Sequence, residues 1–155
     1  MKYELTDDSE FVTHCLTRPE MWRMGSDDGV IGINPNLFFA QKSNEIWLKA
    51  GEYGVLIFKP TNYISLEFHV ALLPKAKGKA VEISKGAIKW IFENTRYLHV
   101  SASIPEYNRL AIRLGKKVGM EFIGINKGSF MKNGELHDQH LFGIQKEDVC
   151  HSFQR

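Results

Sequence analysis

The chain has 155 residues, 43% of them hydrophobic, and its 20 basic and 18 acidic side chains give a net charge of +2. A chain of this length can bury one sizeable core, so a single domain over residues 1–155 is expected. The near balance of charge argues against nucleic-acid binding by bulk attraction. Cys15 and Cys150 suggest neither a disulfide framework nor a zinc cluster. With no apolar targeting segment or membrane span, a cytoplasmic protein is predicted.

The first third of the chain predicts two short helices followed by strands. Capping and acidic side chains at Asp7 to Glu10 introduce a helix over Ser9–Leu16. Pro19 suits the first turn of a second helix, which the segment after Met24 interrupts. Three strand-like runs then predict an antiparallel meander, at residues 37–41, 45–49 and 53–58.

The next strand alternates strictly from Ile64 to Leu72, with apolar side chains at the even positions. This places Glu67 and His69 side by side on the other face. They are candidates for proton transfer. Equally, the two side chains can lie on a solvent-exposed face of the sheet or bond to each other. Pro74 ends the strand.

A basic glycine turn connects this strand to a helix. It comprises Lys75, Lys77, Gly78 and Lys79, and the apolar stripe from Ala80 to Ile91 then has helical spacing. Because a helix N-terminus presents free N–H groups and positive charge, the turn suits a phosphate. The alternative is a solvated loop of lysines.

A strand at Tyr97–Ser101 completes a βαβ unit, so it should lie parallel to the earlier strand. Pro105 suits the start of the next helix, in which Asn108 is an early, capping-type residue. We expect its buried stripe to be formed by Leu110, Ala111, Leu114 and Val118, with Gly119 as the stop.

The last third predicts a long hairpin, Glu121 to Lys132 and Glu135 to Gln145, joined by the type I′ dipeptide Asn133–Gly134. His137 and His140 fall on opposite faces of its second strand, so no metal site is expected. The chain should fray from about Val149.

These motifs, in this order, resemble the GCN5-related N-acetyltransferase (GNAT) superfamily over roughly two-thirds of the chain. Its coenzyme A motif, Gln/Arg-x-x-Gly-x-Gly/Ala, corresponds to Lys75–Ala80, with Lys75 in place of the first residue. Its Asn-x-x-Ala-x-x-Leu motif corresponds to Asn108, Ala111 and Leu114. The fold expected is α/β, a single GNAT-like domain. Its sheet is mixed and mostly antiparallel, with about seven strands, helices on both faces and a splayed parallel pair.

The resemblance implies an acetyl-coenzyme A-dependent transferase acting on a small-molecule or protein amine. Glu67 or His69 would be a general base acting through water. The backbone of Val70, Ala71 and Leu72 would pair with the pantetheine arm, and Asn108 would meet the cofactor. The pyrophosphate would lie on the turn formed by Lys75, Lys77, Gly78, Lys79, Ala80 and Val81.

One departure from the family pattern points to another role. Many active members carry a tyrosine, the acid for the leaving thiolate, where this chain has Gly115. Tyr107, Ser101 or Ser103 are the candidate replacements. Through stretches such as Trp90–Thr95 and Ile104–Asn108, the chain also resembles phage-encoded members of the superfamily. This finer resemblance implies the alternative, a catalytically inactive module that binds phage structural proteins during head assembly.

Overall fold

A computed structural model describes residues 1–29 and 44–152. Its seven strands form one sheet in the order β1-β2-β3-β4-β5-β7-β6. The strands are β1 (Tyr3–Leu5), β2 (Ile46–Ala50), β3 (Gly54–Pro60), β4 (Ser65–Leu72), β5 (His99–Pro105), β6 (Glu121–Lys132) and β7 (Glu135–Gln145). The helices are α1 (Ser9–Leu16), α2 (Pro19–Gly25), α3 (Ala80–Asn94), α4 (Arg109–Val118) and α5 (Lys146–Ser152).

The mixed, mostly antiparallel sheet is confirmed, although its strands are not all the predicted ones. β1 was not foreseen; it pairs with β2 at the edge of the sheet. The predicted strand at residues 37–41 lies outside the described residues. No helix in the described ranges is long and apolar enough to cross a membrane.

The predicted parallel pair separates soon after it forms. β4 and β5 are in register only from Ser65 opposite His99 to Glu67 opposite Ser101. β4 then continues to Leu72, still paired with β3, while β5 continues to Pro105, paired with β7. A cleft therefore opens between the two strands, and one edge of β4 lines it.

Apolar side chains fill both faces of the sheet. The larger cluster lies under α3 and α4 and includes Leu56, Phe58, Leu66, Ile83, Ile88 and Phe142. The smaller cluster lies under α1 and includes Val12, Cys15, Trp47, Val55, Ile57 and Ala71. Burial of the odd position Ala71 under α1 places Glu67 and His69 on that same face by strand alternation.

The predicted buried face of α4 is partly wrong. Pro105 remains in β5, and the helix begins at Arg109 after Asn108, whose side chain accepts from the Ala111 N–H. With this cap, Leu110 is 71% exposed, and Gly115 and Val118 are the buried residues of the helix. Leu110 therefore contributes little to the core, whereas Ala111, Ile112 and Leu114 are partly buried and pack against it.

Replacement of Gly115 by alanine should stabilise the protein by about 0.5–1 kcal/mol, since glycine costs that much in a helix interior. An added Cβ would lie 3.8 Å from Ile104 and Phe142, an ordinary contact distance. The matched change Gly119→Ala should destabilise instead, because Gly119 ends the helix at φ +98°. Thermal unfolding of both variants tests the assignment, and destabilisation by Gly115→Ala would contradict it.

The C-terminal hairpin forms with the predicted boundaries and turn. Asn133 and Gly134 both have positive φ, 54° and 74°, as a type I′ turn requires. Their N–H groups donate to the Asp28 carboxylate at 2.7 and 2.8 Å. Val149 is buried in α5, which runs over Lys146–Ser152, so the chain does not fray from Val149 as predicted; residues 153–155 lie outside the described residues.

Candidate functional site

The backbone orientation along β4 follows from one hydrogen bond. The Leu73 N–H donates to the Tyr53 carbonyl at 2.7 Å, on the β3 side. The Leu72 carbonyl belongs to the same peptide and therefore points to the opposite side, into the cleft. Alternation gives the polar groups of Val70 the same direction, whereas Ala71 faces β3. The structure thus leaves Val70 and Leu72, but not Ala71, able to bond a ligand in the cleft.

The basic turn stands at the end of this edge of β4. A short 3₁₀ turn, Pro74–Ala76, is followed by Gly78 at φ +82°, and α3 begins at Ala80. The N-cap residue Lys79 makes no side-chain capping bond. The N–H groups of the first turn of α3, including those of Ala80 and Val81, are therefore available to an anion.

Two of the lysines have protein partners. Lys75 Nζ lies 3.0 Å from a Glu52 carboxylate oxygen, and Lys79 Nζ lies 3.1 Å from the Tyr53 hydroxyl. The contact with Lys75 lowers the pKa of Glu52, and the bond to Tyr53 raises the pKa of Lys79. Lys77 is exposed at the outside of the turn. Sequence reasoning missed Glu52 and Tyr53 because they are 23 and 26 residues away.

Glu67 and His69 form the predicted same-face pair. His69 Nε2 lies 3.0 Å from Glu67 Oε1, and both side chains are partly exposed. The hydrogen bond from His69 lowers the pKa of Glu67 against the effect of burial. Because this pKa lies below that of the unfolded chain, the pair stabilises the fold above the ordinary glutamate pKa. That contribution is lost as the pH falls through the lowered value.

The candidate proton donors lie in two different places. Ser101 is opposite Glu67 in the parallel register, with its hydroxyl 3.4 Å from the Leu66 carbonyl. Tyr107 instead makes edge contacts with the rings of Phe130 and His137 in the hairpin.

The contacts of Tyr107 join it to α2 and to the hairpin. Its hydroxyl lies 3.5 Å from the Met24 carbonyl. Burial raises its pKa, with a further contribution from the charges of Asp27 and Asp28. Its role as the acid for the leaving thiolate stays a prediction.

Two further predicted positions have structural roles. Asn108 Oδ1 caps α4 by accepting from the Ala111 N–H at 3.2 Å, which leaves its amide NH₂ group for another partner. Gly115 faces Ile104 and Phe142 in the core, and it supplies no acid there. Across residues 1–29 and 44–152, no group of three or more His, Cys, Asp or Glu side chains is arranged to hold a metal ion.

Comparison with solved structures shows the fold. The spermidine N-acetyltransferase of Vibrio cholerae, solved with coenzyme A and spermine, is 15% identical, with 96% of this chain and 97% of that chain covered and a TM-score of 0.79. A GNAT-family acetyltransferase of Bacillus anthracis is 18% identical, with 94% of each chain covered and a TM-score of 0.74. No family model and no curated protein matches the sequence. The chain thus has the fold of GNAT acetyltransferases.

Proposed function

We propose that this protein is an acetyl-coenzyme A-dependent N-acetyltransferase. The observation that carries the proposal is the cleft where β4 leaves β5, which runs directly to an uncapped helix N-terminus. An extended arm with amide groups matches the exposed edge of β4, and a pyrophosphate matches the N–H groups of Ala80 and Val81 at the start of α3. One continuous surface therefore suits both ends of coenzyme A.

Different residues of the cleft would bind different parts of coenzyme A. Val70 and Leu72 would pair with the amides of the pantetheine arm. The N–H groups of Gly78, Ala80 and Val81 would hold the pyrophosphate, with Lys77 adding charge, whereas the Lys79 N–H already donates to the Ala76 carbonyl at 2.8 Å. Lys75 and Lys79 hold the basic turn against the connection between β2 and β3 through Glu52 and Tyr53. The amide NH₂ of Asn108 remains free to meet the cofactor from α4.

Acetyl-coenzyme A would supply an acyl group activated as a thioester, which an amine attacks with loss of the thiol. The chain must orient the amine and accept its proton. Imidazole is intrinsically more basic than a carboxylate, and the lowered pKa of Glu67 weakens that group further as a base. We therefore assign proton acceptance, through water, to His69, with Glu67 holding its ring. The Val70 N–H, which faces the cleft, would donate to the thioester oxygen.

The proposal is tested by incubating the protein with acetyl-coenzyme A and a panel of small amines, polyamines and peptides. Release of free thiol above the rate without acceptor, with acetylated amine found by mass spectrometry, is the expected result. Heat-denatured protein gives the background for each amine. Binding of coenzyme A without transfer to any acceptor would contradict the enzymatic assignment.

The buried Gly115 supports a second candidate function. It faces Ile104 and Phe142 in the core at the position where many active members carry an acid. A domain that retains the fold without turnover would serve as a binding module. The resemblance to phage-encoded members suggests head assembly, with phage structural proteins as partners. Such a protein would keep its assembly function after His69→Ala.

A further inference from the structure

Arg18, in the connection between α1 and α2, reaches the open edge of β4. Its Nη1 donates to the Leu72 carbonyl at 3.0 Å, although the two residues are 54 positions apart. The Arg18 side chain is only 20% exposed, and its Nη2 lies 3.2 Å from a carboxylate oxygen of Glu20. The guanidinium is thus held at a defined place in the cleft.

The carbonyl that Arg18 contacts is the one that points away from β3. The Leu73 N–H is already used by the Tyr53 carbonyl on the β3 side, so the Leu72 carbonyl is available only from the cleft. A guanidinium at hydrogen-bond distance fills the space in front of that oxygen. An extended ligand that pairs with the Leu72 carbonyl therefore competes with Arg18 for that oxygen.

We propose that Arg18 is a displaceable plug, which occupies the place of the pantetheine arm in the unliganded protein. This inference rests on the proposed function, because it requires the arm to lie along β4. Glu20, whose side chain is 61% exposed, keeps a partner for Arg18 outside the cleft. The arginine can therefore release Leu72 without leaving its charge uncompensated.

Two ligands distinguish a plug from a phosphate-binding arginine. Coenzyme A carries the arm, whereas adenosine 3′,5′-bisphosphate carries adenosine and phosphates without it. In calorimetry, Arg18→Met should bind coenzyme A about threefold to tenfold more tightly than the parent, because the contact with Leu72 no longer has to be broken. Its affinity for the bisphosphate should stay within about twofold, because that ligand has no arm to compete for Leu72 and the charge of Arg18 is already paired with Glu20 at 3.2 Å.

Two further variants control for charge and folding. Arg23→Met removes the same charge from an exposed site on α2 and should not tighten coenzyme A. Arg18→Lys keeps a charged donor and should fall between the parent and Arg18→Met. Melting temperatures show which variants are folded. If Arg18→Met does not fold, the coenzyme A affinity of Arg18→Lys still tests the proposal.

Three other outcomes would each overturn the plug, and they differ in what they say of the proposed function. Weaker binding of both ligands to the Arg18 variants would make Arg18 a phosphate contact and would overturn the plug. Unchanged coenzyme A affinity in folded variants would also overturn it and would leave the proposed function intact. Failure of the parent and all variants to bind either ligand would overturn the proposed function and the plug with it.

Discussion

Replacement of His69 by alanine should lower turnover by about 10²- to 10⁴-fold at saturating acetyl-coenzyme A, because a positioned general base contributes on that order. Glu67→Gln should also lower turnover, because a neutral amide oxygen accepts a weaker hydrogen bond from His69 Nε2 than the carboxylate does at 3.0 Å. Both variants should bind coenzyme A as the parent does, because proton transfer acts in the transition state. Steady-state kinetics with calorimetry measures the two effects separately.

Glu93→Gln is the matched control for Glu67→Gln. Glu93 is an exposed carboxylate near the end of α3, 3.7 Å from Lys89, and its loss should leave turnover unchanged. Full turnover in His69→Ala, with acetylated product still formed, would show that the amine loses its proton to another group. The lowered pKa of Glu67 also predicts that its protonation affects the rate only below the ordinary range of a glutamate.

Lys77→Glu should weaken coenzyme A binding at least tenfold. Lys77 is the lysine of the turn that lies free of Glu52 and Tyr53, so its charge is available to a phosphate. A carboxylate in its place both removes a charge-assisted bond and repels the ligand. Calorimetry at physiological ionic strength gives the change in Kd, and the loss should diminish at high salt.

Two comparisons sharpen that result. Lys117→Glu makes the same charge change at an exposed position of α4 and should alter Kd by less than about twofold. Gly78→Ala tests geometry without charge: no atom lies within 4 Å of the added Cβ, so the cost comes from φ +82° alone. Equal losses from Lys77→Glu and Lys117→Glu would show that bulk charge, and not the turn, attracts the cofactor.

Local patterns predicted much of the framework. The capping residues before Ser9 gave α1 its correct bounds, and Asn133–Gly134 placed the hairpin turn, because each signal acts within a few residues. The period of two along β4 brought Glu67 and His69 together, a contact that the structure confirms at 3.0 Å. These features depend on backbone geometry that neighbouring residues impose.

Other features were decided only by tertiary packing. The predicted buried face of α4 was wrong at Leu110, which is exposed, while Ile112, outside the predicted stripe, packs against the core. The run Leu110–Ala111–Ile112 is apolar throughout, so periodicity alone could not decide which of these residues faces the sheet. β1 is only Tyr3–Leu5, too short for a periodic signal, and it exists because β2 offers an edge.

The cleft has features of both kinds, some encoded locally and some decided by tertiary packing. The sequence determined by itself that a strand, a basic glycine turn and a helix follow one another, since each is encoded over a short stretch of chain. Only the tertiary structure decided which polar groups of β4 face the opening and that Arg18 closes on one of them. That contact joins residues 54 positions apart, and no local pattern carries information over such a separation.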